Sequence, residues 1–281
     1  MDPIGPLDTF APGLFDGRVA LVTGGGTGIG RRTAMAFAHL GADLVIASRN
    51  AEHLDAAAKE IESVGVQCLA HPTNIREPEQ VDDLREAAYG RFEKVDFLVN
   101  NAGGQFPATP SQISANGWRA VVDLNLNGTW NMISRFMMPM TEAGFGAIVN
   151  VVHVYSFERG APLFVHSGAA RAGVVNMTRT MAPYLGPHGV TINALAPGAI
   201  TTEGLEQNEL ERMGHDLESF GQILDLDHPS RRLGTVDEVA AAILFLCSPA
   251  ARFITGAALV ADGGELRADW HVEQFFPRGS L

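Results

Sequence analysis

The sequence predicts an α/β fold, a doubly wound parallel sheet covered by helices on both faces. Three observations predict it. Short apolar runs rich in Val, Ile, Leu and Ala alternate with longer amphipathic stretches. The runs are apolar almost throughout rather than at every second residue, which is the pattern of strands buried on both faces. A glycine-rich turn joins the first run to the first amphipathic stretch, and no Pro/Gly/Ser-rich linker divides the chain internally.

The elements follow in order. "RVALVTG" (18–24) leads to a helix near 28–40, "ADLVIASR" (42–49) to one near 51–64, and "VQCLAHP" (66–72) to one near 77–90. "VDFLVNNAG" (95–103), "GAIVNVV" (146–152), "VTINALAPG" (190–198) and "GAALVADGG" (256–264) read as further strands. Continuous apolar strands separated by helices indicate a sheet with helices on both sides. There is no internal repeat. Residues 1–15 read as an N-terminal extension and 265–281 as a C-terminal tail, flanking a domain over 16–264.

Composition bounds the function. The chain has 281 residues, 46% hydrophobic and 19% charged, which suits a full core in one large domain or two. Its two cysteines, Cys68 and Cys247, lie far apart with no CxxC spacing, which argues against a disulfide framework or a metal site and for a reducing, cytoplasmic compartment. The N-terminus has neither the basic start nor the apolar core of a signal peptide. No apolar run approaches the roughly 18–20 residues of a membrane span. The net charge of −12 argues against a nucleic-acid partner.

"ALVTGGGTGIGRR" places Gly24, Gly28 and Gly30 between a strand and a helix, with Thr27 and Ile29 in the same turn. Such a turn lets a pyrophosphate approach the helix N-terminus and its free N–H groups. An NAD site wants an acid at the end of the second strand for the ribose hydroxyls, but this strand ends Ala47-Ser48-Arg49. Arg49 can hold a 2′-phosphate through its planar fork and Ser48 can donate to it, so NADP(H) is expected over NAD(H).

TGGGTGIG (23–30), NNAGG (100–104), the asparagine of LNLNG (124–128), NALAPGAITTEG (193–204) and the closing segment 231–264 resemble the short-chain dehydrogenase/reductase family over roughly residues 16–264. The resemblance implies a single Rossmann-type domain with a seven-stranded parallel sheet, a substrate lid over about 199–230, a nicotinamide cofactor, and a homotetramer or homodimer. It places Asn100, Asn101, Ala102 and Gly103 at the cofactor floor and Asn74 beside the adenine. Pro197, Gly198, Ile200 and Thr202 fall around the nicotinamide. Asn125 matches the family's active-site asparagine, which supports a proton-relay water.

The catalytic pair departs from the family pattern. The usual member carries a Ser, then a Tyr and a Lys four residues apart on one helical face. Here His153 stands nearest the serine position, Ser167 at the tyrosine position and Arg171 at the lysine position. The chain has only two lysines, Lys59 and Lys94, and neither is expected near the nicotinamide. Of its three tyrosines only Tyr155 follows a strand's C-terminal end, where ligands bind in such sheets. "YSFERGAPLFVHSGAARAGV" (155–174) is similar to the 2,4-dienoyl-CoA and trans-2-enoyl-CoA reductases of this family, whose tyrosine lies about a dozen residues upstream of a serine. In "NNAGGQF" (100–106), Gln105 falls where the dienoyl-CoA reductases place an oxyanion-binding asparagine.

This arrangement suits hydride addition to carbon. In a conjugated thioester the charge develops on the thioester oxygen, and hydrogen-bond donors such as Tyr155 and Gln105 suffice there. Arg171 grips ribose hydroxyls but shuttles no proton, because its pKa lies above about 12. His153 and His166 are candidate donors of the last proton. The expected activity is NADPH-dependent reduction of a conjugated C=C bond in an enoyl or dienoyl thioester. The rivals are a carbonyl or alcohol oxidoreductase, with His153 or Tyr155 as the acid, and a catalytically silent NADP-binding protein. The lid's Glu203, Glu206, Glu209, Glu211, Asp216, Glu218, Asp225 and Asp227 weigh against a polyphosphate carrier such as CoA; Arg159, Arg231, Arg232 and Arg267 are its candidate contacts.

Overall fold

A computed structural model of the protein describes residues 5–157, 159–219 and 229–267. The apolar runs form β1 (Val19–Thr23), β2 (Asp43–Ser48), β3 (Cys68–Pro72), β4 (Phe97–Asn100), β5 (Gly146–Val151), β6 (Val190–Pro197) and β7 (Ala258–Ala261). They make one seven-stranded sheet in the order β3-β2-β1-β4-β5-β6-β7, with every pairing parallel. Every residue of β1, β4 and β6 is buried, which is why these strands read as unbroken apolar runs. Strand β7 lies on the edge, and Leu259 and Val260 are exposed.

Alternate residues of each strand serve opposite faces. Ala20 and Val22 join a core with Phe37, Leu54, Ile61 and Ile243, under α1 (Gly28–His39), α2 (Ala51–Ser63) and α7 (Val236–Cys247). Val19 and Leu21 join a second core with Leu84, Phe136 and Leu185, under α3 (Pro78–Phe92), α5 (Gly128–Ala143) and α6 (Val165–Leu185). Helix α4 (Ala115–Val122) runs into α5 through a π-helical turn, Asp123–Asn127, which carries Asn125.

The two flanking segments carry more than the sequence implied. Within residues 1–15, Leu7, Phe10 and Leu14 pack on the first core. Phe15 is fully buried there, its ring 5.0 Å from Phe37 and 5.1 Å from Phe97. At the other end Glu265 is buried. Met1–Ile4, residues 268–281, and the lid's residues 220–228 with Asp225 and Asp227 lie outside the described residues.

The strand order turns back on itself between β1 and β4. Ligands in such sheets bind outside the carboxyl ends of the strands at this switch point.

Candidate active site

A cavity of about 700 Å³ opens at the carboxyl ends of the strands, lined from the β1–α1 turn to the lid. On its cofactor side, Gly24 and Gly28 take positive φ (67° and 51°), which a side chain would disfavour. A Cβ on Gly30 would lie 2.2 Å from the Gly24 carbonyl oxygen, so only glycine lets α1 start this close to β1. Thr27 caps α1 without a side-chain hydrogen bond, which leaves the first amides of the helix as donors. Ile29 lines the cavity.

The loop after β4 is pinned by a residue that the sequence reading passed over. Thr23 Oγ1 accepts from the Asn101 and Ala102 amides, both at 3.0 Å, and Asn101 Nδ2 donates to the Thr23 carbonyl at 3.0 Å. Asn101 and Gly103 line the cavity. Asn100 does not form the floor: its amide donates to Asn150 Oδ1 at 2.8 Å inside the sheet, and Asn150 in turn donates to Thr178. Asn74 closes its own loop, where its Oδ1 accepts from the Arg76 amide and Nε and its Nδ2 donates to Glu77. Arg49 lines the cavity at the end of β2 and makes no ion pair among the described residues, while half-buried Ser48 donates to the Asn50 carbonyl. Pro197, Gly198, Ile200 and Thr202 line the wall at the end of β6.

The reacting end is built by α6, the end of β5 and the lid. Arg171 Nη1 donates to the Val151 carbonyl at 2.7 Å, and its buried Nε has no partner among the described residues. An unpartnered guanidinium N–H at this place fits a hydroxyl-bearing ligand such as the ribose of a nicotinamide nucleotide. Burial pulls the guanidinium down to about 10, against the support of Glu209. Asn125 is locked: its Nδ2 donates to the Gly104 and Val121 carbonyls, both at 2.8 Å, and its Oδ1 accepts from the Gly104 amide. It therefore holds the loop that carries Gln105. Ser167 is buried and donates to Gln105 Oε1 at 2.7 Å, and Gln105 Nε2 donates to Glu209 at 3.1 Å.

Tyr155 sits in a tight turn just past β5, and its hydroxyl donates to the buried carboxylate of Glu265. Burial and the Glu265 charge push the phenol far above its ordinary value, so it stays a neutral donor. His153 Nδ1 accepts from the Tyr155 amide at 3.1 Å. Burial and Arg171 drive this imidazole down to about 3, so it is neutral and is no source of an acidic proton at ordinary pH. His166 is buried with its ring edge-to-face on Phe106, and burial lowers it too. Of the two histidines only His153 lines the cavity. Arg232 is held by Glu238 at 2.6 and 2.9 Å and leaves no free fork for a phosphate, whereas Arg159 lines the cavity. The Arg267 side chain lies outside the described residues.

The structure thus brings Tyr155, Gln105, Ser167, Arg171, Asn125 and His153 together, and adds Glu209 and Glu265. Lys59 is exposed on α2, and Lys94 bonds the Gly17 carbonyl and Asp96 beside the amino ends of β1 and β4, so neither lines the cavity. Among the described residues no cluster could hold a metal, and no helix is long and apolar enough to cross a membrane.

The family model described as enoyl-(acyl carrier protein) reductase matches residues 24–265. The peroxisomal 2,4-dienoyl-CoA reductase of Mus musculus is 38% identical over 257 residues, covering 91% of this chain and 86% of that protein. Among solved structures, the citronellol catabolism dehydrogenase of Pseudomonas aeruginosa is 39% identical with a TM-score of 0.78, covering 92% of this chain and 98% of that one. Levodione reductase is 30% identical with a TM-score of 0.86, covering 91% of this chain and 100% of that one. The chain belongs to the short-chain dehydrogenase/reductase family and is an oxidoreductase that works with a nicotinamide cofactor.

Proposed function

We propose that the protein reduces a conjugated C=C bond in an enoyl or dienoyl thioester with NADPH. The observation that carries this reading is the set of groups facing the cavity: the neutral phenol of Tyr155, the neutral imidazole of His153, the Gln105 amide and the Arg171 guanidinium, with the carboxyl groups of Glu209 and Glu265 and no lysine, and with Ser167 buried behind Gln105. The phenol, imidazole, amide and guanidinium stabilise an oxyanion by donation, and the phenol lacks the lysine that would tune it as the acid an alkoxide requires. The rival carbonyl reading loses His153 as its acid, since that imidazole is neutral. The relatives named 2,4-dienoyl-CoA reductase, in mouse and in Danio rerio, support the same substrate class.

The cofactor, when bound, supplies hydride. Gly24 to Gly30 and the α1 N-terminus would hold its pyrophosphate, and Arg171 its nicotinamide ribose. Arg49 and Ser48, with no acid at the end of β2, support a 2′-phosphate and hence NADP(H). Tyr155 Oη and the Gln105 amide are the donors for the thioester oxygen, with Ser167 and Asn125 fixing the Gln105 loop. An NADPH-oxidation screen of crotonyl-type thioesters, dienoyl thioesters and simple ketones tests the reading. Tyr155→Phe should lower kcat/KM on the accepted thioester by roughly 10²–10³. An unchanged kcat/KM on every accepted enoyl and dienoyl substrate sinks the assignment.

A homodimer or homotetramer is part of the proposal, supported by exposed Trp118 on α4, Trp130 and Met138 on α5, and Leu259 and Val260 on β7. Sedimentation equilibrium tests it. A cytoplasmic location, supported by the free thiols of Cys68 and Cys247, is tested by cell fractionation.

A further inference from the structure

We propose that Glu265 is a positioning residue for Tyr155: its carboxyl group decides whether the phenol's single hydrogen points into Glu265 or out to the substrate oxygen. Glu265 is 3% exposed on the turn that follows β7. Its Oε1 accepts from the Tyr155 hydroxyl, and its Oε2 accepts from the Ala199 amide at 2.9 Å. The neighbouring Gly198 makes room for it, since a Cβ there would lie 2.3 Å from Oε2. The carboxyl group therefore ties the phenol to the root of the lid.

A phenol has one hydrogen to give. When Glu265 is ionised, that hydrogen is committed to it and the substrate oxygen faces only lone pairs. When Glu265 carries a proton, it can donate to the phenol oxygen, and the phenol hydrogen turns into the cavity. Among the described residues, the charged and titratable groups around the pair include Arg159 from the loop after Tyr155, Asp262 from the turn that carries Glu265, Glu209 from the lid, Arg171 from α6, and neutral His153. Glu209 faces the same cavity, where burial first and the like charge of Glu265 last raise its own carboxyl group. The device makes activity fall as pH rises through the titration of this carboxyl group.

The catalytic part rests on the thioester-reductase reading, so the test has an arm independent of turnover. The chain has three tyrosines, and Tyr155→Phe identifies the Tyr155 signal in protein labelled with ¹³Cζ-tyrosine. That signal should move with pH in the wild type and stay fixed in Glu265→Gln. With an accepted thioester, Glu265→Gln should remove the alkaline limb of the kcat–pH profile. Glu265→Ala should lower kcat about tenfold, with little effect when Tyr155 is already Phe. A Tyr155 signal with the same pH course in Glu265→Gln overturns the inference. So does a kcat loss in Glu265→Ala that is equally large with Tyr155→Phe, since that marks a purely structural role at Ala199. If the wild type reduces ketones and no thioester, the functional reading fails while the spectroscopic arm still decides Glu265.

Discussion

Gly103 offers a direct test of how the Arg171 grip is built. Its φ is not positive, so alanine meets no backbone strain there. The added Cβ would lie 2.4 Å from Arg171 Nη2 and 2.8 Å from Asn125 Oδ1, both inside the closest real approach. Asn125 cannot yield, because three hydrogen bonds tie it to Gly104 and Val121. The guanidinium has to move instead, away from its 2.7 Å bond to the Val151 carbonyl and from any ribose hydroxyl it would hold. A lost charge-assisted hydrogen bond is worth about 1.5–3 kcal/mol. Gly103→Ala should therefore weaken NADPH binding roughly ten- to hundredfold. Fluorescence titration with NADPH reads this, with thermal unfolding as the control for folding. In an Arg171→Ala background the same substitution should cost far less. Wild-type NADPH affinity in folded Gly103→Ala would refute the claim that this glycine exists to seat the guanidinium.

Three other outcomes follow from the geometry. His153 has a folded pKa of about 3 against an unfolded value near 6.5, so between those limits the unfolded chain binds more protons and stability falls as pH drops. Urea unfolding should show the wild type losing about 2 kcal/mol more than His153→Asn between pH 7 and 5, and equal losses would contradict a buried neutral imidazole. Phe15→Ala should cost about 3–5 kcal/mol in the same assay, since its ring is packed between Phe37 and Phe97, and a change below about 1 kcal/mol would return residues 1–15 to the status of an appendage. Arg49→Ala should reduce the ratio of NADPH to NADH affinity at least tenfold, and an unchanged ratio would remove Arg49 from the phosphate site.

The sheet was legible because its strands are buried on both faces, and that condition writes itself as continuous runs such as VALVT and VTINALAP. Ser167 and Arg171 were singled out by the family resemblance, and their four-residue spacing puts them on one face of α6. Glu265 was not, since it follows β7 in a segment with no periodicity, and its contacts are with Tyr155, 110 residues earlier, and Ala199, 66 residues earlier. Glu209 was hidden among eight acids of the lid, and what singles it out is that a π-helical turn puts it beside buried Leu210. Asn100 misled for the opposite reason. Asparagine at a strand end serves local loop closure and cross-strand bonding as readily as a ligand, and the residue type alone does not separate these uses.

The scarcity of lysine has a practical side. The lysine side chains open to amine-directed reagents are Lys59 on the outer surface of α2 and Lys94 beside the amino ends of the strands. Coupling through these amines anchors the protein to a support or a dye by points away from the cavity mouth. Dicarbonyl reagents that seek guanidinium groups reach into the site as well as the surface, because Arg49, Arg159 and Arg171 all line the cavity. Amine chemistry thus offers a handle that leaves the centre untouched, and guanidinium chemistry does not.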